Sequence, residues 1–143
     1  MSKRYDEIFL FDIYISILKI KNTASKFKTS QELKYNYMAW DSIIRDFEII
    51  GEATNALIKK EIISKEYRGI VNLRNILIHH YFGIDADEIW DIIQNDLDDL
   101  EVYICKLITN INKDKKQVIV NSLVEEFSHL EFVVKKLKTE QIC

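Results

Sequence analysis

The stretch LKYNYMAWDSIIRDFEIIGEATNALI, residues 33–58, decides the fold class of this chain of 143 residues. One stripe of positions, spaced four and three apart, runs through it: Leu33, Tyr37, Trp40, Ile44, Phe47, Gly51, Thr54 and Ile58. This spacing is that of one helix face, and it predicts a long helix over about residues 30–63, with Ser30 as N-cap. Gly51 inside the stripe costs about 1 kcal/mol relative to alanine. We therefore expect it to let another helix come close.

The same apolar spacing predicts four more helices around this one. They cover about residues 3–21, 65–81, 85–110 and 117–138. Gly83 is expected to end the third in a left-handed conformation, and Asp85 or Asp87 to cap the fourth. The last carries a heptad-like seam of Val120, Leu123, Phe127, Leu130, Val134 and Leu137.

The scarcity of turn residues points to the same fold class. The chain has no proline and three glycines, fewer than strand-rich proteins with tight turns usually contain. We predict an all-α, up-and-down antiparallel helical bundle. Residues 3–110 are expected to form the bundle. Residues 117–138 are expected to form a C-terminal helical extension that packs on the bundle or on a partner chain.

Charge and cysteine content narrow the function classes. The net charge of −3 argues against a general nucleic-acid binder. The charge is uneven, since residues 1–30 hold six bases and three acids, and residues 85–101 hold eight acids and no base. A local basic surface and two solvated helix faces both explain this. Cys105 and Cys143 lack metal-ligand spacing, and no apolar run approaches the roughly 20 residues that cross a bilayer. We expect a cytoplasmic protein without metal, cofactor or membrane contact.

The third predicted helix carries a polar cluster, RNILIHHY, at residues 74–81. On an ideal helix at about 100° per residue, Arg74 lies in the middle of an otherwise apolar arc that also carries Tyr81. Arginine is almost never buried unless it is paired. Arg74 therefore either has an acidic partner inside, with Glu48 and Glu52 as candidates, or opens into a cleft at an interface. A side chain that snorkels along apolar neighbours is the plain structural alternative.

His79 falls on another face of the same helix. It lies four residues from Asn75, which is placed to orient the imidazole ring, whereas His80 lies on the packing side. Arg74 and His79 are about 140° apart, so they cannot easily flank one phosphate within one protomer. A site that uses both is easier to build across a two-fold dimer with this helix near the axis. The wide apolar arc favours the same arrangement.

Three blocks of sequence resemble one known family. The R-x-x-x-x-H-x-Y pattern of Arg74, His79 and Tyr81 is similar to that of HepT-type HEPN-domain toxins of the minimal-nucleotidyltransferase/HEPN family. RDFEIIGEA (45–53) and IWDIIQNDLDDL (89–100) resemble the same family, so the likeness covers about residues 3–110. The chain departs from it at Tyr67-Arg68-Gly69, where members usually carry a Pro–Trp turn. It also departs at His80, where many carry an acid.

The resemblance implies a fold and an activity. The fold is a four-helix HEPN core that dimerises through the motif helix. The activity is that of a metal-independent endoribonuclease in which Arg74 holds the scissile phosphate and His79 is general base or acid, with Asn75 in a supporting role. RNA supplies its own 2′-OH nucleophile, so positioning, charge stabilisation and proton transfer suffice.

The same resemblance implies a biological setting and partners. The family pairs, as toxin, with a minimal nucleotidyltransferase antitoxin in a type VII-like toxin–antitoxin system. The antitoxin transfers AMP to the signature tyrosine, here Tyr81. A homodimer is expected, with larger assemblies left open. Two other functions stay open: a non-catalytic subunit that presents substrate to a nucleotidyltransferase, and an interaction bundle that works through its C-terminal seam.

Overall fold

The computed structural model describes residues 5–79 and 83–139, and this part of the chain is all-α with no strand. Its helices are α1 (Asp6–Ala24), α2 (Ser30–Tyr35), α3 (Tyr37–Lys59), α4 (Arg68–His79), α5 (Ala86–Asp91), α6 (Leu97–Thr109), α7 (Lys113–Glu126) and α8 (Glu131–Lys138). A 3-10 turn, Lys65–Tyr67, precedes α4, and a π-helical turn, Ile92–Asp96, joins α5 to α6. The predicted all-α helical bundle is confirmed.

α1 lies at the centre of the bundle. It packs against α3 on one side and α6 on another, and α8 also contacts it. Its apolar residues point all round the helix, as expected where a helix is surrounded by others. The buried ones are Leu10, Phe11, Ile13, Tyr14, Ile15, Ile17, Leu18, Ile20 and Ala24. α4 packs on the outer side of α3, so it lies at the edge of the bundle.

The long helix predicted over residues 30–63 is broken at Asn36. Asn36 has extended backbone, with φ −87° and ψ 92°, and its side-chain oxygen accepts a hydrogen bond from the backbone N–H of Ala39. Asparagine competes for backbone hydrogen bonds in this way, which ends α2 and caps α3. The predicted N-cap at Ser30 is wrong by one residue, because Thr29 caps α2. α3 ends at Lys59, close to Glu61, whose φ of 60° is left-handed.

The motif helix is shorter than the predicted span of 65–81. It begins at Arg68 after the 3-10 turn and is regular to His79. The backbone N–H of Ser64 donates to the Tyr103 hydroxyl, which ties the start of this segment to α6. The predicted left-handed cap at Gly83 is wrong, because no glycine in the described residues has a positive φ.

The helix predicted over 85–110 consists of α5, the π turn and α6. Asp85 caps it as predicted, since its carboxylate accepts from the N–H groups of Asp87 and Glu88. Positions spaced by four drift about 40° per step around a regular α-helix. The wider π turn counters this drift and keeps Ile89, Ile93 and Leu97 all buried.

The C-terminal seam is divided between two helices, so the single helix predicted over 117–138 is wrong. α7 ends at Glu126, and α8 folds back to contact both α7 and α1. Val133 and Leu137 are thereby buried, which one straight helix projecting from the bundle would not achieve. Lys115 of α7 pairs with Glu7 of α1 at 3.2 Å. The division into units 3–110 and 117–138 stays a prediction.

Charged side chains also join α1 to its neighbours. Lys21 forms ion pairs with Asp98 and Glu101 of α6, so part of the acidic segment meets the basic one. Asp46 of α3 is buried, with Lys19 of α1 at 3.5 Å. Burial raises the pKa of Asp46 to about 6, although the charges of Lys19 and Arg45 oppose the shift.

Candidate functional site

Arg74 lies where α4 crosses α3 most closely. A Cβ atom placed on Gly51 would overlap the Cβ of Arg74 and lie 2.7 Å from its Cγ. The predicted close approach at Gly51 is therefore confirmed, and it fixes where the arginine stem begins. The stem covers the glycine, and the side chain is 34% exposed. Arg74 thus sits at the helix interface with its guanidinium reaching the edge.

The guanidinium is only partly satisfied. Its Nη1 donates to the side-chain oxygen of Asn75 at 3.0 Å. Its Nη2 lies 3.8 Å from a carboxylate oxygen of Glu52, which is too long for a hydrogen bond. The Nε atom is buried without a hydrogen-bond partner among the described residues. The loosely paired Nη2 therefore retains donors for an incoming anion.

Glu52 rather than Glu48 is the acid beside Arg74. Glu48 instead accepts a hydrogen bond from Arg45 at 3.2 Å, and the same arginine lies 3.9 Å from Glu52. The four side chains form a row of alternating charges along the α3 edge. Helix periodicity did not single out Arg45, although it is the first residue of the block RDFEIIGEA. Its guanidinium is a second cation close to the motif.

Asn75 contacts Arg74 instead of His79. Its oxygen accepts from the guanidinium, and none of the hydrogen bonds between described residues joins Asn75 to His79. Spacing by four places two side chains on one face but does not make them bond, and the neighbouring cation is the stronger donor. The expected orienting role of Asn75 toward the imidazole is not seen; Asn75 supports Arg74.

His79 is the last residue of α4 and is exposed. α4 is regular between Arg74 and His79, so the two keep the separation of an ideal helix, about 7.5 Å along the axis and 140° around it. The helix brings them to one edge of the bundle without placing them side by side. Tyr81 and His80 lie outside the described residues.

A cavity of about 390 Å³ lies on the other flank of α4, beside the π turn. Its apolar residues come from α4, the π turn and α6: Ile70, Leu73, Ile92, Leu97 and Leu100. Glu66, Asp96 and Asp99 add carboxylates. Burial, together with the charges of Tyr103, Glu66 and Asp99, raises the pKa of the Tyr67 hydroxyl. The acids make this flank unsuited to a phosphate, in contrast to the Arg74 edge.

No group of three or more histidine, cysteine or acidic residues in the described residues is arranged to hold a metal ion. Within that same part of the chain, none of the helices combines the length and the apolar character needed to cross a membrane.

Comparison with known proteins identifies the family. The family model described as "Ribonuclease HepT-like" matches residues 13–107, which include Arg74, His79 and Tyr81. Two provisionally named RNases of Methanocaldococcus jannaschii are 37% and 35% identical, over 68% and 66% of this chain and 91% and 80% of their own lengths. A Thermococcus cleftensis protein named as a probable ribonuclease HepT is 33% identical over 42% of this chain and 57% of its own length.

No solved structure matches the chain. The family model spans the helices from α1 through the motif helix to α6, and two of the relatives match this chain over 91% and 80% of their own lengths. The chain belongs to the HepT-like ribonuclease family.

Proposed function

We propose that this protein is the toxin of a type VII-like toxin–antitoxin system. It is a metal-independent endoribonuclease that cuts RNA at a site shared between two protomers. One observation carries the proposal. A member of the HepT-like ribonuclease family presents an under-bonded arginine, and an exposed histidine five residues later, on one regular helix at the edge of the bundle.

Arg74 would bind the phosphate that is attacked. Its planar fork fits two phosphate oxygens, and the added charge of the transition state strengthens these contacts. Asn75 holds one guanidinium nitrogen in place. The loose pair with Glu52 holds the group near the edge without using its donors fully. An RNA phosphate can therefore displace the carboxylate at little cost.

His79 would carry out the proton transfers. The ribose 2′-oxygen forms a bond to phosphorus, the bond from phosphorus to the 5′-oxygen breaks, and the products are a 2′,3′-cyclic phosphate and a 5′-hydroxyl. One imidazole takes the proton of the 2′-OH, and a protonated imidazole gives one to the leaving oxygen. Histidine ordinarily titrates near neutrality, which suits both steps. Two protomers supply two such rings.

The exposed surface of α4 supports dimerisation through this helix. Of its residues only Val71 and Leu77 are buried, and Ile76 and Ile78 are 50% and 43% exposed. Exposed apolar side chains on a helix can form part of an interface with a second copy. A two-fold axis near α4 would also bring the Arg74 of one protomer toward the His79 of the other, which a single helix keeps apart.

Neutralisation by the antitoxin rests on the family resemblance and on the place of Tyr81 in the chain. Tyr81 follows His79 by two residues. AMP joined to its hydroxyl would add bulk and a phosphate close to Arg74, and both would oppose the entry of RNA. The antitoxin is expected to be a minimal nucleotidyltransferase, and both proteins to act in the cytoplasm.

The nuclease proposal is tested by RNA cleavage in EDTA with purified protein. Arg74→Ala and His79→Ala should each lower the cleavage rate by roughly 10²- to 10⁴-fold, since each removes charge stabilisation or proton transfer. Arg68→Ala and His129→Ala are matched controls, because both residues are exposed and lie outside the cluster. These two variants should cut RNA at the rate of the unmodified chain.

Cleavage that needs added magnesium would contradict the metal-independent mechanism. Equal cleavage by Arg74→Ala, His79→Ala and the controls would reject the site. If the unmodified chain arrests growth and the Arg74→Ala and His79→Ala variants arrest it equally, the alternative of a non-catalytic partner of a nucleotidyltransferase is favoured.

The modification is tested by mass spectrometry after co-expression with a cognate nucleotidyltransferase. AMP should be found on Tyr81 and should abolish RNA cleavage, and Tyr81→Phe should stay unmodified and active. AMP found only on Tyr103, or on another tyrosine, would reject the assignment to Tyr81.

A further inference from the structure

The break between α2 and α3 exposes large side chains that most helical bundles would cover. Tyr35, Tyr37 and Met38 are 80%, 72% and 70% exposed, more than the other large apolar residues described. Asn36 causes this, because its extended backbone turns the chain between the two helices. The three side chains form what we call the 35–38 platform. Neighbouring exposed apolar side chains often mark a binding surface.

The platform lies at the same end of the bundle as His79. α3 and α4 are joined by a short link and pack along each other, so they run antiparallel. Arg74 is level with Gly51, and from there α4 runs toward the start of α3. On ideal helices the level of Met38 lies about 12 Å beyond that of His79. Tyr37 is only about 40° from Gly51 around α3, on the side that faces α4.

Basic residues are concentrated in the segment that carries the platform. Residues 25–38 contain Lys26, Lys28 and Lys34 and one acid, Glu32. The three lysines are exposed, and none of them takes part in an ion pair between described residues. Lys34 directly precedes Tyr35. Rings next to unpaired cations suit a ligand with flat faces and negative charge.

We propose that the 35–38 platform binds unpaired bases of single-stranded RNA that extends from the cleavage site. The bases stack on Tyr35 and Tyr37, Met38 borders them, and the three lysines contact the phosphates. A duplex keeps its base faces hidden in the stack, so the platform selects single-stranded over double-stranded RNA. This inference rests on the proposed ribonuclease function and adds the substrate class.

The charge argues against a second copy as the occupant. In a two-fold contact through the platform, the same lysines of both copies would face each other, and like charges at an interface are unfavourable. RNA phosphate neutralises them instead.

The experiment measures binding of a fluorescent, unstructured RNA of about a dozen nucleotides to the full chain. All proteins carry His79→Ala, so the probe stays intact. Changing both Tyr35 and Tyr37 to alanine should raise the Kd about tenfold or more, because stacking contributes on the order of 1 to 3 kcal/mol per base. Changing both to phenylalanine should keep the affinity, since the rings remain. A blunt duplex of the same sequence should bind equally weakly to all variants.

Tyr5→Ala is the matched control. Tyr5 is 51% exposed but lies beside Lys115 of α7, away from the motif helix. The Tyr5→Ala protein should bind the single-stranded RNA with the same Kd as the protein with an unmodified platform. Thermal unfolding should show that the double alanine variant folds normally, as expected for exposed residues.

The outcomes separate this inference from the nuclease proposal. The platform is rejected, and the nuclease function kept, if the chain with an intact motif cuts RNA and the double alanine substitution changes neither RNA binding nor cleavage. Tyrosine-dependent RNA binding by a chain that cuts nothing would support the platform and reject the nuclease. A dimer that dissociates in the double alanine variant, without loss of RNA binding, would assign the surface to a second copy.

Discussion

α1 and α4 belong to one bundle but are held in it very differently. α1 has neighbours on several sides and buries residues along almost its whole length. α4 buries only Val71 and Leu77, and its main packing partner is α3. The comparison shows that the residues that stabilise the fold and the residues of the candidate site lie mainly on different helices. α1 and α3 make the core, and the helix with the arginine and histidine is attached to it along one side.

The largest expected effect is on the core side of this comparison. Phe47 of α3 is 1% exposed, and Phe47→Ala should lower the free energy of unfolding by about 3 to 5 kcal/mol through lost burial and a cavity. Ile76 of α4 is 50% exposed, and Ile76→Ala should change the free energy of unfolding by less than about 1 kcal/mol. Urea unfolding of dilute protein measures both. Equal losses would show that α4 is a core helix after all.

A smaller effect concerns the two ion pairs, one in each region. Asp46 is buried beside Lys19, whereas Glu52 beside Arg74 is half exposed. The folded-state pKa of Asp46, about 6, is raised above its ordinary value of 3.8. Its stability contribution is therefore fully present below about pH 3.8 and is lost as pH rises through 6. The shift corresponds to about 2 to 3 kcal/mol.

Asp46→Asn should remove this part of the pH dependence. The difference in unfolding free energy between the variant and the original chain should grow in favour of the variant between pH 4 and pH 8. A flat difference for Asp46→Asn would contradict the raised pKa of the buried carboxylate.

The third prediction acts on the contact between the two regions. A methyl group on Gly51 overlaps the stem of Arg74, so Gly51→Ala should cost about 1 to 3 kcal/mol of stability. It should lower RNA cleavage more than this loss explains, because the overlap moves the arginine itself. Unfolding and cleavage rates measured on the same preparation test the claim.

Gly69→Ala is the matched control on α4. A Cβ there meets nothing within 4 Å, and the helix gains up to about 1 kcal/mol from alanine. The variant should be as stable as the original chain or more stable, with full cleavage. If both glycine substitutions behave alike, the close approach at Gly51 has no role in placing Arg74.

Periodicity predicted which residues are buried better than where helices end. Trp40, Ile44 and Phe47 of the predicted stripe are buried as expected, because burial follows the 3.6-residue repeat, whereas Tyr37 of the same stripe is 72% exposed. The breaks at Asn36 and at residues 127–130 carry the same apolar spacing across them. The first break depends on a side chain that bonds to the backbone, and the second on a helix that gains burial by folding back. Apolar spacing does not indicate either of these causes.

For the candidate site, the sequence located Arg74 correctly on the interior-facing arc and named Glu52 among its two acidic candidates. It placed Asn75 beside His79, whereas the amide oxygen of Asn75 accepts from Arg74, because helix spacing does not distinguish the two side chains that Asn75 can reach. The place of Arg45 in the row of charges depends on how α3 and α4 cross, which only the three-dimensional structure shows.

The contact at Gly51 also limits how the motif can move. The arginine stem sits in the gap left by a missing side chain, so α4 cannot slide along α3 or roll on it without the stem striking the residues on either side of the gap. This contact therefore opposes rigid-body shifts of the helix. The last turn, beyond the buried Leu77, is less constrained, so fraying of that turn costs less than movement of the whole helix. Arg74 is held at the helix crossing, and His79 lies at the helix end.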